Sequence, residues 1–431
     1  MARQKIYQKD LGYDILRPIV DWNVKQSYRR VAVKGQENIP TDGAVILAPN
    51  HCNTLMDALV ILRANKKETV FGARADMFNI KLVAKIMFFL RILPMVRQRD
   101  GLRNVLKNKD TEEIIVETLE HGVPFCIFPE GKHRAAHSLQ VLGKGVFRAA
   151  LSANARFGDK KPVYIVPVGI EYGDYFRYHS TSLVTYGKAI NVTEFVKSLE
   201  VENEAQMIEP LRKELTKRMS ELITYIDYNE DYDGKWTLTR LLSLRYKNTL
   251  EEQMKNNRRI IAEIEQKYEK NPEAMKDLLD KTARFDKVRR KKGVSIYSFA
   301  AKNSFTRVFL KTLAALIMLP AYVFSAVASL PLWVISAILR KIIKDRAFKN
   351  TATFGVRLAG CLTYGPACIA LAFCLLPWKS ALFLLLLMIP TYPYFYDYNE
   401  FIRRFVSDIK LSFNSDLKKF KNEIIDTYKS I

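Results

Sequence analysis

A chain of 431 residues with 48% hydrophobic content is long enough for two or three structural units and apolar enough for a large core, which excludes a short stapled scaffold or a disordered polar chain. The formal charge of +23, from 68 Lys and Arg against 45 Asp and Glu, implies an anionic partner: nucleic acid, an anionic lipid surface or phosphorylated substrates. Five cysteines with no C-x-x-C pair argue against a disulfide framework or a zinc site and fit a reducing compartment, and no apolar run follows Met1-Ala2-Arg3-Gln4-Lys5, so no signal peptide is expected.

Residues Tyr13–Val24 set Ile15, Leu16, Ile19, Val20 and Trp22 among polar residues. The pattern predicts an amphipathic helix that either lies on a membrane surface or packs on the domain. An alternating stretch follows. Candidate strands are Arg30–Gly35, Ala44–Ala48, Thr69–Ala73, Val123–Phe128, Val163–Val168 and Leu183–Tyr186. Helical patterns lie between them near Thr54–Arg63, Met77–Leu90, Thr111–Glu120 and Lys144–Ala155. Mostly apolar strands separated by helices predict an α/β fold, a mixed sheet flanked by helices, with chemistry in the loops at strand ends.

From Val201 to Gly293 the chain turns polar, charged and helical, with one apolar stripe at Ile260, Ile261, Ile264 and Tyr268. A solvated helical extension is expected, with a partner-binding arm as the alternative. From Val308 hydrophobic residues dominate. Val308–Leu339 contains Pro320 and Pro331, which suits a kinked span or a re-entrant hairpin. Leu358–Pro377 and Ala381–Tyr396 read as two spans around a turn at Trp378-Lys379-Ser380, with Tyr392, Tyr394, Phe395, Tyr396 and Tyr398 as an interfacial belt. Arg340, Lys341, Lys344, Arg346 and Lys349 lie between the apolar pairs, the basic run Asp286–Lys292 lies before them, and Arg403 and Arg404 lie after. The positive-inside rule puts all of these, and the α/β domain, on the cytoplasmic side of an integral membrane protein. The expected divisions are 1–29, 30–200, 201–300, 301–400 and a cytoplasmic helix at 401–431.

Two strand-end segments carry the chemistry. Asn50-His51-Cys52-Asn53-Thr54-Leu55-Met56-Asp57 offers a histidine with a carboxylate close behind it. Thr54 and Asp57 also fit a capping box, and the helix start can carry Asp57 back toward His51. An imidazole so held can take a proton from an alcohol near neutral pH. Cys52 is a poor nucleophile candidate, because adjacent side chains in an extended loop diverge, and no G-x-S-x-G elbow is present. Phe128-Pro129-Glu130-Gly131 is a sharp turn followed by Lys132, His133 and Arg134. Gly131 can let backbone N–H groups approach an anion, and Lys144-Gly145 opens another helix start. Arg74 ends a strand, and Arg97 and Arg99 follow Ile92-Leu93-Pro94-Met95-Val96; arginines at such positions can grip phosphate bidentately.

Taken in order, these segments resemble the phospholipid/glycerol acyltransferase family, which includes glycerol-3-phosphate and lysophosphatidate acyltransferases. Four blocks over residues 30–195 carry the resemblance: Asn50-His51 through Asp57; Arg74–Phe78 with Leu93–Arg97; Phe128–Gly131; and Ile165–Ile170. Two departures stand out. Five residues separate His51 from Asp57 where four is commonest, and His133 holds a place where the family's third block usually has arginine, with Arg134 one later. The resemblance implies that His51, steadied by Asp57, takes a proton from an acceptor hydroxyl that attacks the thioester of acyl-CoA or acyl-acyl carrier protein, with no acyl-enzyme, cofactor or metal. It implies that Arg74, Arg97, Glu130, Gly131, His133 and Arg134 bind a glycerol-phosphate acceptor, that Pro167 lies near the acyl site, and that a phospholipid membrane is the partner. Arginine's fixed fork favours Arg97 and Arg134 over His133 for the phosphate. The alternatives are an acyltransferase for an amino-acid-headed lysolipid and a non-enzymatic basic membrane or nucleic-acid-binding protein; no nucleic-acid partner is expected, since no binding motif of that kind is present.

Overall fold

A computed structural model of the chain describes residues 5–65, 67–95, 103–199, 203–244, 249–300 and 305–431, with backbone alone over 103–110. The chain forms two compact units, Met1–Ile223 with Asp345–Thr351, and Thr224–Lys344 with Ala352–Ile431.

The first unit is built on an eight-stranded mixed sheet, as the alternating pattern predicts. Its strands are β1 (Tyr28–Lys34), β2 (Ala44–Pro49), β3 (Val70–Arg74), β4 (Ile92–Met95), β5 (Phe125–Cys126), β6 (Val163–Tyr172), β7 (Ser180–Tyr186) and β8 (Ile190–Asn191). The order is β1-β7-β6-β2-β5-β3-β4, with β8 beside β6. Strands β6, β2, β5, β3 and β4 run parallel, while β7 and β8 run antiparallel to β6. Every residue of β2 is buried, as a central strand covered on both faces requires. Because the five parallel strands end at one edge, the segments after β2, β3, β5 and β6 meet there. This geometry brings His51, Arg74 and the Glu130 turn together.

The predicted strand Val123–Phe128 keeps a regular ladder only at Phe125–Cys126, although Ile127 N–H still donates to Leu47 O at 3.0 Å. Strand β4 gave no sequence signal. It has four residues and contains Pro94, which is tolerated because β4 lies at the sheet edge.

Helices α1 (Leu11–Ser27), α2 (Leu55–Ala64), α3 (Lys81–Phe89), α4 (Arg103–Glu120), α5 (Gly145–Phe157), α6 (Val192–Lys197) and α7 (Glu204–Ser220) flank the sheet. Val146, Phe147 and Ala150 of α5 join Ile46, Ile165 and Phe125 in the core. Ile208, Leu211, Leu215 and Met219 of α7 join the same core, so this unit runs past residue 200. Asp10 caps α1, accepting from Tyr13 N–H at 3.1 Å. One face of α1 buries Tyr13, Val20 and Val24, while Leu11, Ile15 and Trp22 remain exposed, so the helix packs on the domain and still presents an apolar face.

The second unit is helical: α8 (Tyr232–Ser243), α9 (Leu250–Lys270), α10 (Pro272–Lys291), α11 (Phe305–Ala328), α12 (Leu330–Ile342), α13 (Phe348–Leu362, its first turn in the first unit), α14 (Tyr364–Leu375), α15 (Trp378–Met388), α16 (Thr391–Ser412) and α17 (Ser415–Ser430). Thr249 and Glu252 form a capping box at the start of α9. The apolar stripe of the expected helical extension is buried: Ile260 and Ile264 share a core with Leu278, Phe285, Leu417 and Ile424 of α10 and α17. The charged stretch is therefore a helical domain with its own core, closed by the C-terminal helix.

Two stretches, Phe305–Ala328 and Phe348–Leu375, are long and apolar enough to cross a membrane by length and composition. Only 6% and 11% of their apolar windows are buried, whereas a core helix of a soluble domain would hide such a surface. The first stretch runs through Pro320 and breaks at Ser329, before α12. Trp378-Lys379-Ser380, expected as a turn, opens α15. The break falls just before it at Leu376-Pro377, since proline lacks the N–H that would continue α14. Tyr392 and Tyr398 of the expected belt are buried, and Tyr398 stacks on Tyr322 at 4.4 Å.

Candidate active site

Strand β2 ends at Pro49, and Asn50 extends its ladder with a side chain. Asn50 Nδ2 donates to Ile170 O at 3.1 Å, and its Oδ1 accepts from Ile170 N–H at 2.6 Å. This clamp fixes where the next residue leaves the sheet. His51 Nδ1 then lies 2.8 Å from Asp57 Oδ2. The same oxygen accepts the N–H groups of Cys52 at 2.8 Å and Asn53 at 2.7 Å, while Tyr172 donates its hydroxyl to Oδ1 at 2.8 Å. Asp57 is fully buried, a position a carboxylate holds only when donors surround it. With two backbone N–H groups already on Oδ2, that oxygen has no room for a proton, so Nδ1 of His51 must donate. The lone pair is left on Nε2, the nitrogen available as a base.

The expected capping box does not form. Thr54 is the N-cap residue of α2 but has φ 50°, ψ −130°, and its hydroxyl makes no cap bond. A threonine held at positive φ costs about 1–3 kcal/mol, so its surroundings must enforce it. Thr54 Oγ1 instead meets Thr351 Oγ1 at 2.7 Å and Ala347 O at 3.4 Å. The Asp57 carboxylate reaches back past the cap position to the Cys52 and Asn53 N–H groups.

The turn after β5 closes with Gly131 at φ 62°, where its own N–H donates to Phe128 O at 3.1 Å. Glu130 is buried and accepts from His51 N–H at 2.8 Å and Gln140 N–H at 2.9 Å. Arg134 N–H returns a bond to His51 O at 3.0 Å. The two strand-end loops are thus cross-linked at the backbone of His51 itself. Burial pushes the Glu130 carboxyl above its ordinary value, against the opposing pull of these N–H groups.

His51 lines a pocket of about 1150 Å³. Its apolar lining includes the buried Phe71, Ile115 and Ile127 together with Met87, Ile92 and Met95. Its charged lining, apart from the buried Glu130, is more exposed: Arg74, Lys132, His133, Lys144 and Arg148 with the acids Asp76, Glu112 and Asp345. The site is therefore an apolar cavity whose charged rim holds more basic than acidic groups. Of the residues singled out in the sequence, His51, Arg74, Glu130, Gly131 and His133 line this pocket and Asp57 stands directly behind His51. Arg74 holds Asp76 through two nitrogens. Arg134 directs its guanidinium to Ser138 Oγ at 2.8 Å and Leu139 O at 3.0 Å. Pro167 is buried within β6, its carbonyl accepting from Gly187 N–H at 2.9 Å. Arg97 and Arg99 lie outside the described residues.

Several polar residues behind the site carried no local signal. Tyr172 and Glu171 end β6, and Glu171 Oε1 lies 3.1 Å from His137 Nδ1, both side chains buried. Tyr175 Oη lies 3.2 Å from the same nitrogen. Burial, then Asp57, pushes the Tyr172 hydroxyl far up, so it stays a proton donor to the carboxylate.

Cys52 is buried with its Sγ 3.7 Å from Asp57 Oδ1. Burial above all, then Asp57, Glu130 and Glu171, pushes its thiol well above the usual value. A thiol that stays protonated is neither a nucleophile nor an alkylation target. Cys52→Ala is expected to keep activity within about twofold, and native protein to leave the Cys52 peptide unmodified by iodoacetamide at about pH 8. Peptide mass spectrometry reads this, and rapid native labelling at Cys52 would contradict it.

Residues 30–171, from β1 to Glu171, match the model of the acyltransferase family. Among solved structures, the chain is similar to the 1-acyl-sn-glycerophosphate (LPA) acyltransferase PlsC from Thermotoga maritima, with 20% identity and a TM-score of 0.35 over 50% of this chain and 81% of that one. No curated protein matches the chain.

Proposed function

We propose, for a chain whose residues 30–171 form an acyltransferase-family domain, that it moves a fatty acyl group from a thioester donor to the hydroxyl of glycerol-3-phosphate or 1-acylglycerol-3-phosphate at a membrane. The observation that carries this reading is the pocket: a carboxylate-held histidine stands where an apolar cavity meets a rim with an excess of basic groups. The cavity suits an acyl chain, and the basic groups of the rim suit phosphate and the phosphates of a carrier.

The chemistry is one displacement. His51 Nε2 takes the acceptor's hydroxyl proton as the oxygen bonds to the thioester carbonyl carbon. The tetrahedral intermediate then collapses, the C–S bond breaks, and the proton on His51 passes to the departing thiolate. Asp57 balances the imidazolium between these steps. Holding the acceptor by its phosphate aligns its hydroxyl. No metal or cofactor enters these steps; acyl-CoA or acyl-acyl carrier protein is the co-substrate.

Membrane placement is supported by exposed apolar residues beside the pocket as well as by the apolar helices. Ile80 and, on α3, Leu82 and Ile86 are exposed, as are Leu11 and Ile15 on α1. A side chain on Gly12 would meet the Phe89 ring at 3.2 Å, so α1 and α3 are neighbours and their apolar faces can enter one bilayer surface. The basic residues between and beyond the apolar helices support a cytoplasmic catalytic domain.

The test incubates purified protein with labelled acyl-CoA or acyl-acyl carrier protein and a panel of glycerol-3-phosphate, lysophosphatidate and carboxylate-headed lysolipids, then identifies the product. Transfer to a phosphate-bearing acceptor is expected. Transfer to the carboxylate-headed acceptors alone would overturn the reading. In membranes, the full chain is expected to resist extraction by high salt and carbonate; release by either would contradict hydrophobic anchoring.

A further inference from the structure

Asp345 lies 212 residues from His133 in sequence, yet its Oδ2 accepts from His133 Nε2 at 2.8 Å. The segment Asp345–Thr351 belongs to the first unit, and Asp345, Phe348 and Thr351 line the same pocket as His51. The Phe348 ring sits edge-on to His133 at 5.7 Å, and the His51 ring does so at 5.8 Å. Thr351 meets the strained Thr54 between His51 and Asp57. The segment thus touches both loops that form the site.

Asp345 also has a plain structural duty. Its Oδ1 accepts from Ala347 N–H at 2.9 Å, which caps the start of α13. The two duties fall on different oxygens, so they can be separated. Burial alone would push the Asp345 carboxyl up, but the His133 hydrogen bond and the Ala347 and Phe348 N–H groups outweigh it and hold it below its usual value. Asp345 is therefore an acceptor, and His133 Nε2 is the donor. Neutral His133 would then present a bare lone pair at Nδ1, which repels an anion. Only the imidazolium offers an N–H at both nitrogens, and a carboxylate on one of them balances its charge.

We propose that Asp345 is a positioning residue for acceptor binding: it fixes and charge-balances His133 so that the ring's second N–H takes the acceptor's phosphate. This rests on the phosphate-acceptor reading above and gives His133 a partner, Asp345, that lies outside the matched family span of residues 30–171. The charged and titratable groups around the ring are Asp345 from the segment, His51 backed by Asp57 from the loop after β2, and Glu130, Lys132 and Arg134 from its own turn. Arg74, Asp76, Glu112, Lys144 and Arg148 line the same pocket. None of the other groups is a carboxylate bonded to the imidazole of His133 among the described contacts.

The experiment measures full-length wild type, Asp345→Asn, His133→Gln and the double variant, with glycerol-3-phosphate as varied acceptor. Asparagine keeps the helix cap, because its carbonyl oxygen still accepts from Ala347 N–H, but removes the charge. Asp345→Asn is expected to raise acceptor KM about tenfold while donor KM and kcat move less than about twofold. The double variant should be no worse than His133→Gln alone, since both act through one contact. Wild-type acceptor KM should rise with pH, and that rise should flatten in His133→Gln. An unchanged acceptor KM in Asp345→Asn, or fully additive losses, would overturn the proposal. So would equal falls in kcat and rises in both KM values, which mark a merely structural role. If wild type transfers acyl groups with no preference for a phosphate head, the functional reading fails as well; phosphate preference with an unaffected Asp345→Asn sinks this inference alone.

Discussion

His51→Ala is expected to reduce acyl transfer roughly 10²- to 10⁴-fold in kcat, with the fold and acceptor binding retained. The reason is local. The His51 side chain is partly exposed at 18%, so its loss leaves no buried cavity, while the loop stays held by backbone bonds to Glu130 and Arg134. Asp57 is a different case. It accepts from His51, Cys52, Asn53 and Tyr172 without exposure to solvent. Asp57→Asn puts an amide donor among donors, and each one left unpaired costs about 1–3 kcal/mol. That variant should therefore lose thermal stability as well as kcat, whereas His51→Ala should lose kcat alone. Parallel melting curves and single-turnover rates separate the two. Full activity in His51→Ala would remove His51 as the base.

The sheet was legible because its strands are apolar runs of buried residues between helices, a pattern that parallel pairing imposes on β2 and β6. The position of His51 and Glu130 at strand ends followed from the same pattern. What escaped the sequence were relations between distant residues. Strand β4 was hidden by its length and by Pro94. Tyr172 supports Asp57 from 115 residues away, and Asp345 reaches His133 from the far side of the helical stretch. No periodicity or local spacing encodes such pairs. Thr54 misled for the opposite reason: its local signal for a capping box is strong, but the site holds its backbone at positive φ and turns its hydroxyl to Thr351. A strong local preference overridden near a reactive residue is itself a functional signal.

Glu130→Ala is expected to cut kcat at least about 10²-fold and to destabilise the protein by about 2–5 kcal/mol, with little specific effect on acceptor KM. Its two oxygens accept the N–H groups of His51 and Gln140, so its removal orphans two partly buried donors and frees the backbone of His51. A residue that gripped the acceptor directly would instead show its loss mainly in KM. Acidity gives a second, independent check. Burial raises the folded-state pKa of Glu130 above its ordinary value. Between those two values the folded protein binds more protons than the unfolded one, so this group's stabilising contribution is complete below the ordinary value and is lost as pH rises through the raised one. Glu130→Gln cannot titrate. The stability difference favouring wild type over Glu130→Gln should therefore shrink as pH rises above the ordinary carboxyl value in denaturant titrations. A difference that instead grows with pH would mean that Glu130 is held ionised by a cation, and the role assigned to it here, as the clamp on the His51 backbone, would give way to one in binding.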